Sequence, residues 1–173
     1  MNVMESIQER RSVRRWLNKE VPDSVLNQVM EAGRLAPSAC NEQGWRFLAV
    51  TDPKLLSDLA EATGEPFVSK TPAMIAVCIG NHRQMMCGQP ARTVDGSIAL
   101  SFMMLEAVEL GLGTCWLGHF DAVKAREILN VPADWDVMAL ATIGYPDPED
   151  TAPRTTRKDA SEICGKNTWS WQD

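Results

Sequence analysis

The chain has 173 residues, of which 45% are hydrophobic and 23% charged, a size and balance typical of one soluble globular domain with a sizeable core. Its formal net charge of -6 argues against a general nucleic-acid-binding surface. Five cysteines without CxxC spacing, a polar start and the lack of an apolar run of roughly 18 residues predict a cytoplasmic protein without a disulfide framework, a zinc site, a signal peptide or a membrane span.

The first half of the chain alternates helical and strand patterns. Five segments carry them: helices over residues 4–9, 22–35 and 53–63, and strands over residues 45–51 and 73–80. In the second helix Val25, Leu26, Val29 and Met30 recur on one face. The last strand is apolar throughout, which predicts that both of its faces are buried.

The second half continues the alternation after a polar loop over residues 81–92. The predicted elements are helices over residues 95–110 and 121–129, strands over residues 114–117 and 137–145, and a polar arm from about residue 146 that ends near Trp169 and Trp171. The helix over residues 95–110 is apolar on nearly every side, so we expect a subunit interface to cover part of it. Strands separated by helices predict an α/β sandwich in a single domain over residues 1–173.

An arginine cluster stands out near the start of this acidic chain. Arg10, Arg11, Ser12 and Arg14 offer forked, permanently charged donors around a hydroxyl, which is the chemistry that holds a phosphate ester. A solvated charge run at the end of a helix is the alternative interpretation, since cations also complement the helix dipole there.

Two further segments suggest contact with a flat polar ligand. Asn41 and Gln43 offer amides that could bond the mixed donor and acceptor edge of such a ligand, although an Asx-turn would also explain them. The glycines of GLGTCWLG, residues 111–118, would let the backbone approach a ring, although a helix cap followed by a buried strand is the alternative. Trp116 occupies the third glycine position of a GxGxxG fingerprint, so no Rossmann site is indicated.

In chain order, the motifs RRSVR, APSACNEQGWRF, GLGTCWLG, IGYP and PRTTRK resemble those of the nitroreductase family, from Ser6 to about Ile163. The chain departs from the family pattern at Gly44, where proline is usual. The resemblance implies an α/β (α+β) fold: a three-layer sandwich with a central, mainly antiparallel sheet flanked by helices. It also implies a homodimer with composite flavin sites, in which the arm from about residue 146 is expected to wrap the partner subunit.

The resemblance also implies which residues bind the cofactor, flavin mononucleotide (FMN). Arg10, Arg11, Ser12 and Arg14 would contact its ribityl, phosphate or pyrimidine groups, and Arg157 would be the late phosphate arginine, with Arg154 as the substitute. The residues expected to reach the flavin from the partner subunit are Pro37, Ser38, Ala39, Asn41 and Gln43. Those expected to line the isoalloxazine ring are Trp116, Leu117 and Gly118.

The function implied is an FMN-dependent oxidoreductase that transfers electrons from NAD(P)H to a small oxidised acceptor, a nitroaromatic, quinone or similar, by a ping-pong mechanism. The alternatives are a reductase for a narrow physiological acceptor, such as an enone, halide or cyclic imine, and a flavin-binding or storage module without significant turnover. No catalytic side chain is required, because the flavin carries the redox chemistry. His119 and Cys40 are left without an assigned role, and His82 and His119 are too isolated to predict a metal site.

Overall fold

The protein is described from a computed structural model that covers residues 1–150 and 155–171. Its helices are α1 (Val3–Glu9), α2 (Asp23–Arg34), α3 (Pro53–Thr63), α4 (Ala91–Glu109), α5 (Ala122–Ile128) and α6 (Ala160–Ile163). Its strands are β1 (Trp45–Val50), β2 (Ala73–Ile79), β3 (Gly113–Leu117) and β4 (Asp136–Gly144). Short 3₁₀ segments cover Ala39–Asn41 and Pro66–Lys70. Among the described helices, none is both long and apolar enough to cross a membrane.

The four strands form one sheet in the order β1-β2-β4-β3, and each neighbouring pair is antiparallel. Every residue of β2 is buried, as the apolar run predicts. Ile75 and Val77 pack into the core on one face of the sheet, while Met74 and Ala76 pack into the core on the other. Because side chains alternate along a strand with a period of two, the central strand β2 contributes side chains to the cores on both faces of the sheet.

Helices cover both faces and complete three layers. One core contains Leu26 of α2 and Leu100 of α4, packed against the sheet. The other contains Leu59 of α3, Ala125 of α5 and Leu140 of β4. The sandwich with a central antiparallel sheet is thereby confirmed.

Helix α4 begins four residues before its predicted start. Pro90 is its N-cap residue, and the Val94 N–H donates to the Pro90 carbonyl at 3.4 Å, so the polar first turn belongs to the helix. Eight of the 19 residues of α4 are buried within its own subunit, on the side that packs against α2 and the sheet. Phe102 is nevertheless 42% exposed, so a partly apolar stripe of the helix faces outward.

The two ends of the chain behave differently. The N-terminal segment after α1 runs beside the sheet, where Ser12 bridges to Thr114 of β3 in parallel. Residues 155–170 are all exposed, and Trp171 folds back on α6 by donating its indole N–H to the Ser161 carbonyl at 3.3 Å.

Candidate functional site

The N-terminal arginine segment lies against the start of β3. The Val13 N–H donates to the Thr114 carbonyl at 2.9 Å, and Val13 is buried. A side chain at Gly113 could not be accommodated, because a Cβ there would lie 2.5 Å from Cγ2 of Val13. This close approach lets the segment that carries the arginines and Ser12 run along the β3 edge of the sheet.

Two of the arginines are committed to acidic partners. Nη1 of Arg11 lies 2.8 Å from Oδ2 of Asp150. Arg15 binds both Asp147 and Glu149, each at 2.7 Å. Arg11 and Arg15 therefore tie the N-terminal segment to residues 147–150, the root of the C-terminal arm.

Arg10 and Arg14 form no ion pair within the described part of the chain. The Arg14 guanidinium lies 5.9 Å from the centre of the Phe67 ring. Burial raises the pKa of the Cys115 thiol, and the charge of Arg14 and a hydrogen bond with Ser12 offset part of that rise. Arg10 and Arg14 are thus the cations of the cluster that no described carboxylate pairs with, and both remain available to an anion.

The amide-rich loop, residues 37–43, is a tight turn with unusual backbone geometry. Cys40, Asn41 and Gln43 have φ values of 51°, 57° and 50°, in the left-handed region that non-glycine residues rarely adopt. Within the turn, the Gln43 N–H donates to Oγ of Ser38 at 3.0 Å. The side chains of Asn41 and Gln43 are exposed, so both amides are accessible to a ligand.

The glycine that departs from the family pattern has a local cause. A Cβ at Gly44 would lie 2.6 Å from Cβ of Asn81, a distance that side chains do not tolerate. Asn81 in turn donates to Glu42 at 2.6 Å, and Arg83 binds the other oxygen of that carboxylate at 2.6 Å. The turn is therefore shaped to fit the residues after β2.

The three residues predicted to line a ring at the end of β3 differ in orientation. Leu117 is buried in the core on the α3 and α5 side, while the half-buried Trp116 packs toward the α2 and α4 side. Gly118 is exposed, and the atom nearest to a Cβ built there is Nε1 of Trp116 at 3.9 Å. The accessible surface at this point is backbone and glycine rather than the Leu117 side chain.

The late arginines lie apart from this cluster in the chain. Arg157 is exposed and donates to Oγ1 of Thr155 at 2.7 Å. Arg154 lies outside the described residues.

His82 is held by the Asp134 carbonyl at 2.8 Å and by Arg92 at 3.1 Å, which accounts for its position without a ligand. The described residues contain no group of three side chains placed to hold a metal ion.

One residue beside the amide loop, Asp95, was not predicted to belong to the site. Asp95 is 2% exposed, and its Oδ1 accepts the Ala39 N–H at 3.0 Å. The available signal was an acidic residue at the start of a helical segment whose next ten residues carry no charge.

Comparison with known proteins places the chain among relatives of one family. A sequence model of the nitroreductase family matches residues 7–91 and 66–145. A protein of Archaeoglobus fulgidus, provisionally named NADH dehydrogenase/NAD(P)H nitroreductase, is 32% identical over 151 residues, which cover 84% of this chain and 86% of that protein. A Thermus thermophilus protein named NADH dehydrogenase is 30% identical over 171 residues, covering 80% of this chain and 83% of its own.

Solved structures agree with the sequence matches. An FMN-dependent nitroreductase from Clostridium difficile has a TM-score of 0.81 at 28% identity, covering 95% of this chain and 99% of that one. A nitroreductase family protein from the same species has a TM-score of 0.86 at 27% identity, covering 98% of this chain and 100% of that one.

Proposed function

This chain belongs to the nitroreductase family, and we propose that it is an FMN-dependent oxidoreductase that passes electrons from NAD(P)H to a small oxidised acceptor, such as a nitroaromatic or a quinone. The broader activity, NAD(P)H-dependent oxidoreduction, follows from the matched relatives and structures, which include an NADH dehydrogenase and an FMN-dependent nitroreductase.

The observation that carries the cofactor assignment is the unequal pairing of the N-terminal arginines. A phosphate ester carries close to two negative charges at neutral pH. Arg11 and Arg15 are paired with acidic partners, whereas Arg10 and Arg14, which flank Ser12 in the chain, have no acidic partner among the described residues. Arg10, Ser12 and Arg14 would therefore hold the FMN phosphate, and Arg157 would add a contact from the arm.

The two halves of the proposed site lie at opposite edges of the sheet. The arginine segment pairs with β3, and the amide loop leads into β1, with β2 and β4 between them. Adjacent strands lie about 4.8 Å apart, so roughly 19 Å separates the arginine segment, which lies one spacing beyond β3, from β1 of the same subunit. This separation favours a site in which the two halves that meet one FMN come from different subunits.

Helix α4 suggests how two subunits would combine. Asp95 near its N-terminal end bonds the amide loop, and its C-terminal end leads through Gly111 toward β3 and the arginine segment. Its 19 residues span about 28 Å. A two-fold pairing of antiparallel α4 helices would bring the loop of each subunit to the arginines of its partner, through the stripe that exposes Phe102.

Bound FMN would supply the redox chemistry, by accepting reducing equivalents from NAD(P)H and releasing them to the acceptor. The chain's own residues would bind the phosphate, present Asn41 and Gln43 to the polar edge of the ring, and leave backbone near Gly118 against its face. The sequence carries no second nucleotide fingerprint, so NAD(P)H and the acceptor would use one pocket in turn.

Steady-state kinetics test this shared pocket. Double-reciprocal plots at several acceptor concentrations should be parallel, because the first product leaves before the acceptor binds. An unreactive acceptor analogue should compete with NAD(P)H for the oxidised enzyme. Intersecting plots would show that both substrates bind together and would contradict the mechanism.

An acceptor panel separates the enzyme from the alternative functions. Protein with bound FMN should oxidise NAD(P)H faster when nitroaromatics or quinones are added. Turnover confined to one enone, halide or cyclic imine would favour the narrow reductase. Tightly bound FMN without turnover on any acceptor would favour the storage module.

A further inference from the structure

Asp95 is placed where the fold alone does not require a carboxylate. It lies in the second turn of α4 and is 2% exposed, among the apolar residues that pack against α2 and the sheet. Its Oδ1 accepts the Ala39 N–H, but its Oδ2 is buried, and no residue of the described chain donates to it. An acceptor buried without a donor disfavours the folded state, so this carboxylate is not explained by the stability of α4.

The loop that Asp95 contacts needs an anchor. Three of its residues hold left-handed backbone conformations, which persist only where the surroundings enforce them. Further links between this loop and the body join Glu42 to Asn81 and Arg83, and Cys40 to Arg83, near the surface, where solvent weakens ion pairs. The hydrogen bond from Ala39 to Asp95 ends on a side-chain oxygen shielded from water, where a hydrogen bond is electrostatically stronger than it is at the surface.

We propose that Asp95 is a positioning residue for the flavin: through Ala39 it fixes the loop that presents Asn41 and Gln43, and it acts on the flavin whose phosphate the partner subunit holds. This inference rests on the proposed function. The action on the partner's flavin follows from the placement of the loop at the β1 edge, away from the arginine segment of its own subunit.

Substitution at Asp95 separates positioning from packing. Asp95→Ala removes the acceptor and should raise the FMN dissociation constant at least about tenfold, because the Ala39 N–H would lose its partner in a site shielded from water. Asp95→Asn keeps an acceptor of the same size and should recover affinity to within about threefold of the wild type. Leu100→Val, a buried change on the same helix, should lower Tm but leave FMN affinity within about twofold.

Asp95→Ala with wild-type FMN affinity, Asp95→Asn as defective as Asp95→Ala, or Leu100→Val with an equal loss of FMN would overturn the positioning role. A wild-type protein that binds no FMN would overturn the proposed function as well, which distinguishes the two failures. If Asp95→Ala does not fold, hydrogen exchange of the wild-type Ala39 amide decides: it should be slower with FMN than without, and equal rates would overturn the proposal.

Mixed dimers test the action across the interface. Asp95→Ala and Arg10→Ala chains, denatured and refolded together, should regain FMN in about a quarter of their sites, because half of the dimers would be mixed and each would hold one intact site. The readout is FMN retained at a concentration where neither variant alone retains it. Each variant carries a different affinity tag, so that dimers retained by both tags are mixed, and no recovery of FMN in those dimers would contradict action on the partner's flavin.

Discussion

Arg10 and Arg15 belong to one short run but lie in different electrostatic environments. Arg15 is bound by two carboxylates, and Arg10 by none of the described ones. Arg10→Ala or Arg14→Ala should therefore weaken FMN binding by about tenfold to a hundredfold, since charge-assisted hydrogen bonds contribute roughly 1.5–3 kcal/mol each. Arg15→Ala is the matched control and should stay within about threefold. Equilibrium dialysis against FMN gives the comparison, and equal losses in all three variants would refute it.

Cys78 makes the stability of the protein depend on alkaline pH. Burial raises the pKa of its thiol from 9.0 to about 11. Between these values the unfolded chain releases a proton that the folded chain retains, so the folded form loses stability as pH rises through this window. Below this pH window the Cys78 thiol is protonated in both the folded and the unfolded chain, and its full contribution to the stability of the fold is present.

Chemical denaturation at several pH values checks this sign. The stability advantage of the wild type over Cys78→Ala should shrink as pH rises from about 8 to about 11. Cys87 is exposed, so Cys87→Ala should track the wild type at every pH. A stability advantage of the wild type that stays constant across this pH window would show that burial does not raise the pKa of the Cys78 thiol.

At the scale of elements, the turn between the amide loop and β1 is matched to Asn81. Gly44→Pro, which restores the usual family residue, should lower the free energy of unfolding by about 1–3 kcal/mol, because its Cβ would overlap Cβ of Asn81. Adding Asn81→Gly should recover part of that loss. A double-mutant cycle of thermal unfolding measures the coupling, and purely additive effects would show that the two side chains do not compete for the same space.

Elements with local signals could be predicted from the sequence with good accuracy. Helix α3 runs from Pro53 to Thr63, as predicted; the structure adds that Asp52 caps its start and that Gly64 follows its end in the left-handed conformation. The start of α4 was missed because its first turn is polar and has no side-chain cap. The burial of β2 could be predicted because a strand in the centre of the sheet is covered on both faces and is therefore apolar throughout.

The candidate site was only partly predictable, because its arrangement depends on contacts between distant parts of the chain. The sequence indicated the arginine cluster, but Arg11 meets Asp150 across 139 positions, and this pairing decides which arginines stay free. The alternation along β3 separates Trp116 from Leu117, although the motif suggested that both would line one ligand. Whether the predicted residues bind FMN stays a prediction.

For the whole molecule, the exposed apolar groups indicate where a second subunit would bind. Phe102 of α4 is 42% exposed and Trp169 of the arm is 75% exposed. Phe102→Asp should weaken the dimer, since burial of a charge at an interface is costly. Deletion of residues 166–173 should loosen it if the arm wraps the neighbour. Light scattering across a dilution series measures both, with Val123→Asp, an exposed change on α5, as the control. A monomeric wild type with full flavin content would contradict the composite site.

The flavin spectrum of the purified protein tests the central claim most directly. The protein should be isolated with the visible absorbance of oxidised flavin, and heat should release that cofactor as FMN. Under anaerobic conditions NAD(P)H should bleach the visible band, and a nitroaromatic or a quinone added afterwards should restore it. A colourless protein that gains no flavin when incubated with FMN, or a bound flavin that neither NADH nor NADPH bleaches, would contradict the account.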